Sequence, residues 1–271
     1  MKQIIISFTF FMLLACNNNK INEGNDIDKQ EDNTPIQNVI KKYDIEIIDT
    51  IPHNPNYYTQ GLIFHNGILY EGTGNFGKSA LIKYKKDNHT VDKIINLEHN
   101  IFGEGITILN DKIYQISWLN QICFVYNLNT FKKENELTYA GEGWGITNND
   151  SILIMSDGSA NIKFIEPNNF TILKNLVIKR EGNNVRLLNE LELIDTLLYA
   201  NIYTQDLIII ANINTGEVVG EIDISMLRQQ LYDNPKQEVS NGIAFDKKNN
   251  IFYLTGKNWN KMFAVRFKEK K

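Results

Sequence analysis

The sequence predicts an all-β fold, a five-bladed β-propeller closed by an N-terminal strand, on three observations. One strand plan recurs five times between Tyr58 and the C-terminus. Its period is that of a four-stranded propeller blade. The last repeat stops one strand short, and a segment ahead of the first repeat can supply the missing strand.

Each repeat opens on a turn and a short first strand: Gln60-Gly61-Leu62, Glu104-Gly105-Ile106, Trp144-Gly145-Ile146, Glu190-Leu191-Glu192 and Asn241-Gly242-Ile243. Gly61, Gly105, Gly145, Leu191 and Gly242 fall 44, 40, 46 and 51 residues apart. Second strands carry Tyr70, Tyr114, Ile154, Tyr199 and Tyr253, and third strands follow at Leu81–Tyr84, Ile122–Tyr126, Ile162–Ile165, Leu207–Ile210 and Met262–Phe267. Outer strands come after a turn, as in Thr215-Gly216-Glu217-Val218-Val219. The final repeat ends at its third strand, and Tyr43–Ile51 is expected to complete it, leaving no open sheet edge. An irregular β-sandwich would not account for the spacing. Ser225–Gln237 reads as a short inserted helix.

The fold is assigned to residues 43–271. Residues 1–15 read as a signal segment: Lys2 is a positive start, Ile4–Leu14 is an apolar run too short for a stable span, and Leu13-Leu14-Ala15-Cys16 has the form of a bacterial lipoprotein cleavage site. Cys16 is the expected lipidation site, which anchors the protein to the membrane of the bacterial cell envelope. Residues 16–42, rich in Asn, Asp, Glu and Lys, read as a flexible polar tether. The second of two cysteines, Cys123, lies in an apolar stretch and is expected to be a buried core thiol. A formal net charge of −4 without a basic stripe argues against nucleic acid. The four histidines lack metal-ligand spacing, and no strand-to-helix Gly-x-Ser-x-Gly turn occurs. Neither a metal nor another cofactor is expected, and the protein is expected to be a monomer.

Positions that should be equivalent around a propeller axis are not. Those preceding the first strands are Gln60, Glu104, Trp144, Glu190 and Asn241. Those four residues beyond the second-strand Tyr or Ile are Gly74, Trp118, Gly158, Tyr203 and Lys257. A purely structural repeat would keep one small residue at each. This divergence predicts a polar, aromatic-walled cup with at least one carboxylate and one lysine. Glu104 and Glu190 could also be read as the acid pair of a glycosidase.

These motifs resemble the glutaminyl cyclases (glutamine cyclotransferases) of plant and bacterial type. The resemblance runs over nearly all of residues 43–267 and rests on Tyr58-Thr59-Gln60-Gly61-Leu62, Tyr70-Glu71-Gly72-Thr73-Gly74, Phe102-Gly103-Glu104-Gly105, Ser117-Trp118, Gly143-Trp144-Gly145, Asn189-Glu190-Leu191-Glu192, Asn241-Gly242-Ile243-Ala244 and Thr255-Gly256-Lys257. It implies a five-bladed propeller that converts the N-terminal Gln of peptides or proteins to pyroglutamate with loss of ammonia, without a metal. It further implies Glu104, Lys257 and Asn189 as catalytic residues, Glu104 being the general acid–base, with Gln60, Trp118 and Trp144 binding substrate. Tyr203 stands where the family usually has Trp and is expected to keep that aromatic wall. Leu193, Ile82 and Asn260 depart from common Trp, Arg and Pro. The competing expectation is a non-catalytic propeller lipoprotein that binds a peptide or glycan in the same cup.

Overall fold

The computed structural model describes residues 39–86, 89–231 and 234–271. The expected signal segment, Cys16 and the tether up to residue 38 lie outside the described residues.

The fold is all-β, apart from one turn of helix. β1 (Lys41–Pro52) comes first, and three antiparallel four-stranded sheets follow in chain order. One holds β2 (Thr59–His65), β3 (Ile68–Thr73), β4 (Ala80–Tyr84) and β5 (Val91–Asn96). The next holds β6 (Gly103–Leu109), β7 (Lys112–Ser117), β8 (Ile122–Asn127) and β9 (Lys133–Thr138). Another holds β10 (Ile146–Asn148), β11 (Leu153–Ser156), β12 (Asn161–Ile165) and β13 (Ile172–Val177). A small hairpin, β14 (Lys179–Arg180) with β15 (Asn183–Asn184), leads to β16 (Leu188–Ile194), β17 (Leu197–Ile202), β18 (Leu207–Asn212) and β19 (Val218–Asp223). After α1 (Ser225–Arg228) the chain closes with β20 (Ser240–Asp246), β21 (Ile251–Gly256) and β22 (Lys261–Glu269). These last strands and β1 form one eight-stranded sheet in the order β16-β17-β18-β19-β1-β22-β21-β20.

Local chemistry sets the hairpins. Asn66-Gly67 and Asn110-Asp111 take positive φ at both residues, the conformation a two-residue connection needs to match strand twist. The strands they join lie between neighbouring sheets and are largely buried. Apolar layers fill every such gap: Leu62, Ile82 and Tyr253 in one, Leu109, Ile116 and Met155 in another, and Ile154, Ile162 and Leu198 in a third. Inner strands therefore neighbour one another in the cyclic order β2, β6, β10, β16, β20 and back to β2.

The expected closure is present. β1 pairs antiparallel with β22 from Tyr43↔Glu269 to Pro52↔Lys261. It begins two residues earlier than Tyr43, because Lys41 and Lys42 pair in parallel with Gly220 and Glu221 of β19. The buried Glu221 carboxylate holds this joint, meeting Lys42 Nζ and, at 2.9 Å, Arg180 Nε. That joint merges two groups of strands into one sheet, which the repeat pattern does not indicate. The expected helix over Ser225–Gln237 is also shorter: α1 is a single turn whose one buried side chain is Leu227. Pro235 bars a helix from running through the expected span.

A buried polar knot ties the beginning of the fold to its end. His53, just past β1, presents Nε2 to Glu71 of β3 at 3.1 Å and Nδ1 to the Trp259 carbonyl at 2.7 Å. Glu71 also accepts from Thr59 Oγ1 at 2.7 Å and Tyr84 OH at 2.5 Å. Burial disfavours charge on both partners, but each charge favours the other. His53 ends above its ordinary value and Glu71 below. Cys123 is a buried free thiol, and burial pushes it upward.

Candidate active site

The inner strands open on β-bulges. Pairing shifts between Thr59 and Gly61, Gly103 and Ile106, Leu188 and Leu191, and Ser240 and Ile243. A bulge leaves an extra residue without a ladder partner and re-aims its side chain. Gln60, Glu104, Asn189 with Glu190, and Asn241 occupy these irregularities. In the remaining sheet the ladder starts at Ile146, and the Trp144 N–H donates to the Ser156 carbonyl at 3.0 Å.

One cavity of about 200 Å³ gathers the result, lined by Tyr58, Gln60, Asn75, Phe102, Glu104, Trp118, Trp144, Asn189, Tyr203 and Lys257. All seven residues expected to bind or react with substrate are among them. Glu190 and Asn241, chosen from the sequence at the same repeat position, are not. Glu190 instead accepts from the backbone N–H groups of Leu62 at 3.2 Å and Ile243 at 2.8 Å, joining three inner strands. Asn189 and Glu190 share one bulge, so only one of the two adjacent side chains lines the cavity. With Glu190 turned away, Glu104 is the sole carboxylate lining the cavity among the described residues, and the facing acid pair of a glycosidase is missing there. Nor do three His, Cys, Asp or Glu side chains converge anywhere among the described residues in a way that could hold a metal ion.

Glu104 sits at the centre of the polar contacts. Its Oε1 accepts from Gln60 Nε2 at 2.9 Å, and Gln60 Oε1 accepts from Asn241 Nδ2 at 3.0 Å. Asn241 also donates to the Thr59 carbonyl at 3.0 Å, which fixes the whole relay on the backbone. Burial pushes the Glu104 carboxyl well above the usual carboxylate range; Lys257 opposes the rise and Glu142 adds to it. Lys257, expected as a catalytic residue, is 4% exposed and so lies buried at the end of its strand. Its ammonium lies 4.8 Å from the Tyr58 ring centre and 4.7 Å from that of Tyr203. Two aromatic faces replace part of the lost hydration of this cation. Burial still lowers its pKa, against the pull of Glu104 and Glu238. Asn189 Oδ1 is buried without a hydrogen-bond partner, an acceptor that a bound donor would satisfy.

Aromatic rings form the walls. Phe102 meets Trp118 edge to face at 5.5 Å between centres, and Trp144 meets Tyr203 likewise at 5.5 Å. Where the second strands end on glycine, a neighbouring ring takes the space. A Cβ on Gly74 would lie 2.4 Å from Phe102, and one on Gly158, at φ +76°, 2.6 Å from Trp144. This explains why the second repeat set holds Gly in two sheets, while in the others a larger side chain lines the cavity.

Tyr58, Asn75, Phe102 and Glu142 were not among the expected residues. A sequence signal existed for three of them. Tyr58, Phe102 and Glu142 each stand two residues before Gln60, Glu104 and Trp144, a third equivalent position in the repeat.

Residues 18–267 match the family model described as glutamine cyclotransferase. The chain is 31% identical over 230 residues to a glutaminyl-peptide cyclotransferase of Arabidopsis thaliana, a match covering 83% of this chain and 72% of that one. It superposes on the crystal structure of Myxococcus xanthus glutaminyl cyclase with a TM-score of 0.79 and 32% identity, over 86% of this chain and all of that one. U3-55K, at 7% identity and a TM-score of 0.54, shares the fold alone.

Proposed function

Since the chain belongs to the glutamine cyclotransferase family, we propose that it is a glutaminyl-peptide cyclotransferase, releasing ammonia from the N-terminal Gln of peptides or proteins, with Glu104 moving the protons. The observation that carries the role of Glu104 is its setting: a buried carboxylate with a raised pKa, in an aromatic-walled cavity that also holds a buried lysine. A carboxyl raised by burial approaches an α-ammonium in basicity, so proton transfer between the two becomes accessible.

In this reading Glu104 takes a proton from the substrate α-ammonium. The neutral amine then attacks the γ-carbonyl carbon of the same residue. Lys257 Nζ donates to the oxygen as it gains charge, the position where a fixed donor contributes most. Glu104 returns a proton to the amide nitrogen and recovers one from the ring nitrogen. The new ring C–N bond stays, the amide C–N bond breaks, and ammonia leaves, carrying the surplus proton as ammonium. Asn189 Oδ1 accepts from the substrate, and Gln60 holds the Glu104 carboxylate. Trp118, Trp144 and Tyr203 enclose the Gln side chain in its folded conformer and exclude water, which favours ring closure over hydrolysis.

The scaffold fits a five-bladed propeller in which the eight-stranded sheet counts as two blades joined at the Lys42–Glu221 bridge. We further propose a monomer, lipid-anchored through Cys16 in the bacterial cell envelope and held off the membrane by the tether. Cys16→Ala should move the protein from the membrane to the soluble fraction; unchanged fractionation would remove the anchor.

The activity is tested by incubating the protein with Gln-initiated peptides and following ammonia loss by mass spectrometry. Glu104→Gln should lower kcat by about 10²–10⁴-fold, the usual contribution of a general acid–base. Full activity in that variant would take Glu104 out of the reaction, and no turnover of any peptide by folded wild-type protein would refute the function.

A further inference from the structure

We infer that Glu142 is a positioning residue for this reaction, its carboxylate locking the two indole walls of the cavity into one arrangement around the substrate amide. The inference rests on the proposed activity. A single oxygen, Glu142 Oε2, accepts from Trp118 Nε1 at 2.7 Å and from Trp144 Nε1 at 2.8 Å. Trp118 follows β7 and Trp144 precedes β10, so one side chain links walls contributed by two different sheets. An indole has a single polar handle, its N–H. Both handles end on the same atom, and hydrogen bonds to an ionised group are about twice as strong as neutral ones.

The lock extends beyond the two tryptophans. Trp118 packs on Phe102, Phe102 on Phe76 at 5.4 Å, and Trp144 on Tyr203. Tyr203 in turn carries Lys257 Nζ over its ring. Moving Glu142 therefore displaces a continuous run of side chains that ends at the proposed oxyanion donor. Among the described residues, Gln60, Lys257, Glu142 and the hydroxyls of Tyr58 and Tyr139 interact with Glu104 electrostatically or by hydrogen bond. Within this set Glu142 supplies negative charge and Lys257 positive charge, with opposite effects on Glu104.

Two variants separate the lock from the charge. Glu142→Gln keeps an oxygen acceptor and removes the charge; Glu142→Ala removes both. The chain has only three tryptophans, so the indole N–H resonances of labelled protein give a direct reading. Trp259 is the internal control, since its N–H donates to the Glu238 carbonyl at 3.0 Å, away from Glu142. In Glu142→Ala two of the three indole signals should move while that of Trp259 stays. KM for a Gln-initiated peptide should rise about tenfold, the worth of roughly one net hydrogen bond. In Glu142→Gln, KM should stay within about threefold, and the acidic limb of kcat/KM should shift to lower pH, because removing a negative neighbour eases ionisation of Glu104. Unmoved Trp118 and Trp144 signals in Glu142→Ala would overturn the lock. An unmoved acidic limb in Glu142→Gln would overturn the effect on Glu104; if Glu142→Ala does not fold, unmoved Trp118 and Trp144 signals in Glu142→Gln would overturn the lock, because a neutral amide oxygen is a weaker acceptor than a carboxylate. If wild-type protein released no ammonia, the proposed activity would fall, while the indole signals would still decide the lock.

Discussion

Replacing Glu71 by Gln should cost the fold more than any exposed substitution, and in a pH-dependent way. Glu71 is fully buried and serves His53, Thr59 and Tyr84 at once. Removing one partner of a buried ion pair typically costs about 3–5 kcal/mol. An amide retains part of the hydrogen bonding, which places the expected loss near the lower end, about 3 kcal/mol. For a domain of this size that is a fall in Tm of roughly 6–12 °C. The sign with pH follows from the two shifts. His53 is raised above its ordinary 6.5, so its share of the stability is complete below that pH and is lost as pH rises through the folded value. Glu71 is lowered from its ordinary 4.5, so its share is complete above that pH and is lost as pH falls through the folded value. The wild-type advantage over Glu71→Gln should therefore be greatest between about pH 4.5 and 6.5 and shrink on the alkaline side. Thermal melts by circular dichroism at pH 5.5 and at pH 9 give the measurement. Equal Tm values for the two proteins at pH 5.5, or a gap that widens at pH 9, would refute the ion-pair argument.

Lys257→Met should lower kcat by about 10²–10³-fold, as for loss of an oxyanion donor. Because Lys257 holds Glu104 down, the same variant should shift the acidic limb of kcat/KM to higher pH, opposite to Glu142→Gln; a shift the other way would break the electrostatic account. Gly158→Ala would drive a Cβ to 2.6 Å from the Trp144 ring at a positive φ. The expected cost is about 2–4 kcal/mol from backbone strain and overpacking together, read as a lower Tm and a higher KM, and an unchanged KM would mean that Trp144 does not define the pocket.

The spacing of first strands was enough to find the inner strands, because a repeated hydrophobic plan leaves the same trace in each unit. It also brought Gln60, Glu104 and Trp144 forward as candidates. It could not separate Asn189 from Glu190, since adjacent residues in a bulge face different ways and no residue type encodes which. Asn189 came from family resemblance instead. Glu190 looks like an acid for catalysis by composition alone, yet it is consumed by the backbone of two neighbouring strands. The knot at Glu71 was equally hidden. Its partners His53, Thr59, Tyr84 and Trp259 are scattered along the chain, and nothing local in any of them signals a shared buried site. The merging of two strand groups through Lys42 and Glu221 depends on a parallel bridge of two residues, too short to leave a pattern.

The pairing of β1 with β22 also bears on how the molecule is made. Partners such as Pro52 and Lys261 are separated by more than about 200 residues, a long-range contact of the kind that slows folding. β1 must wait for β22, so the pairing they share cannot form until the whole of the intervening fold has been synthesised. During that wait β1 carries alternating charges, among them Asp44, Glu46 and Asp49, which discourage pairing with other chains. Loss of the C-terminal strand would therefore unmake the N-terminal one as well. Conversely, the first and last strands of the described fold lie side by side, Lys41 bonding Glu269 at 2.8 Å. A short linker between them, with new termini cut in an exposed turn such as Asn110-Asp111, should give a permuted chain that builds the same cavity in a different order of synthesis.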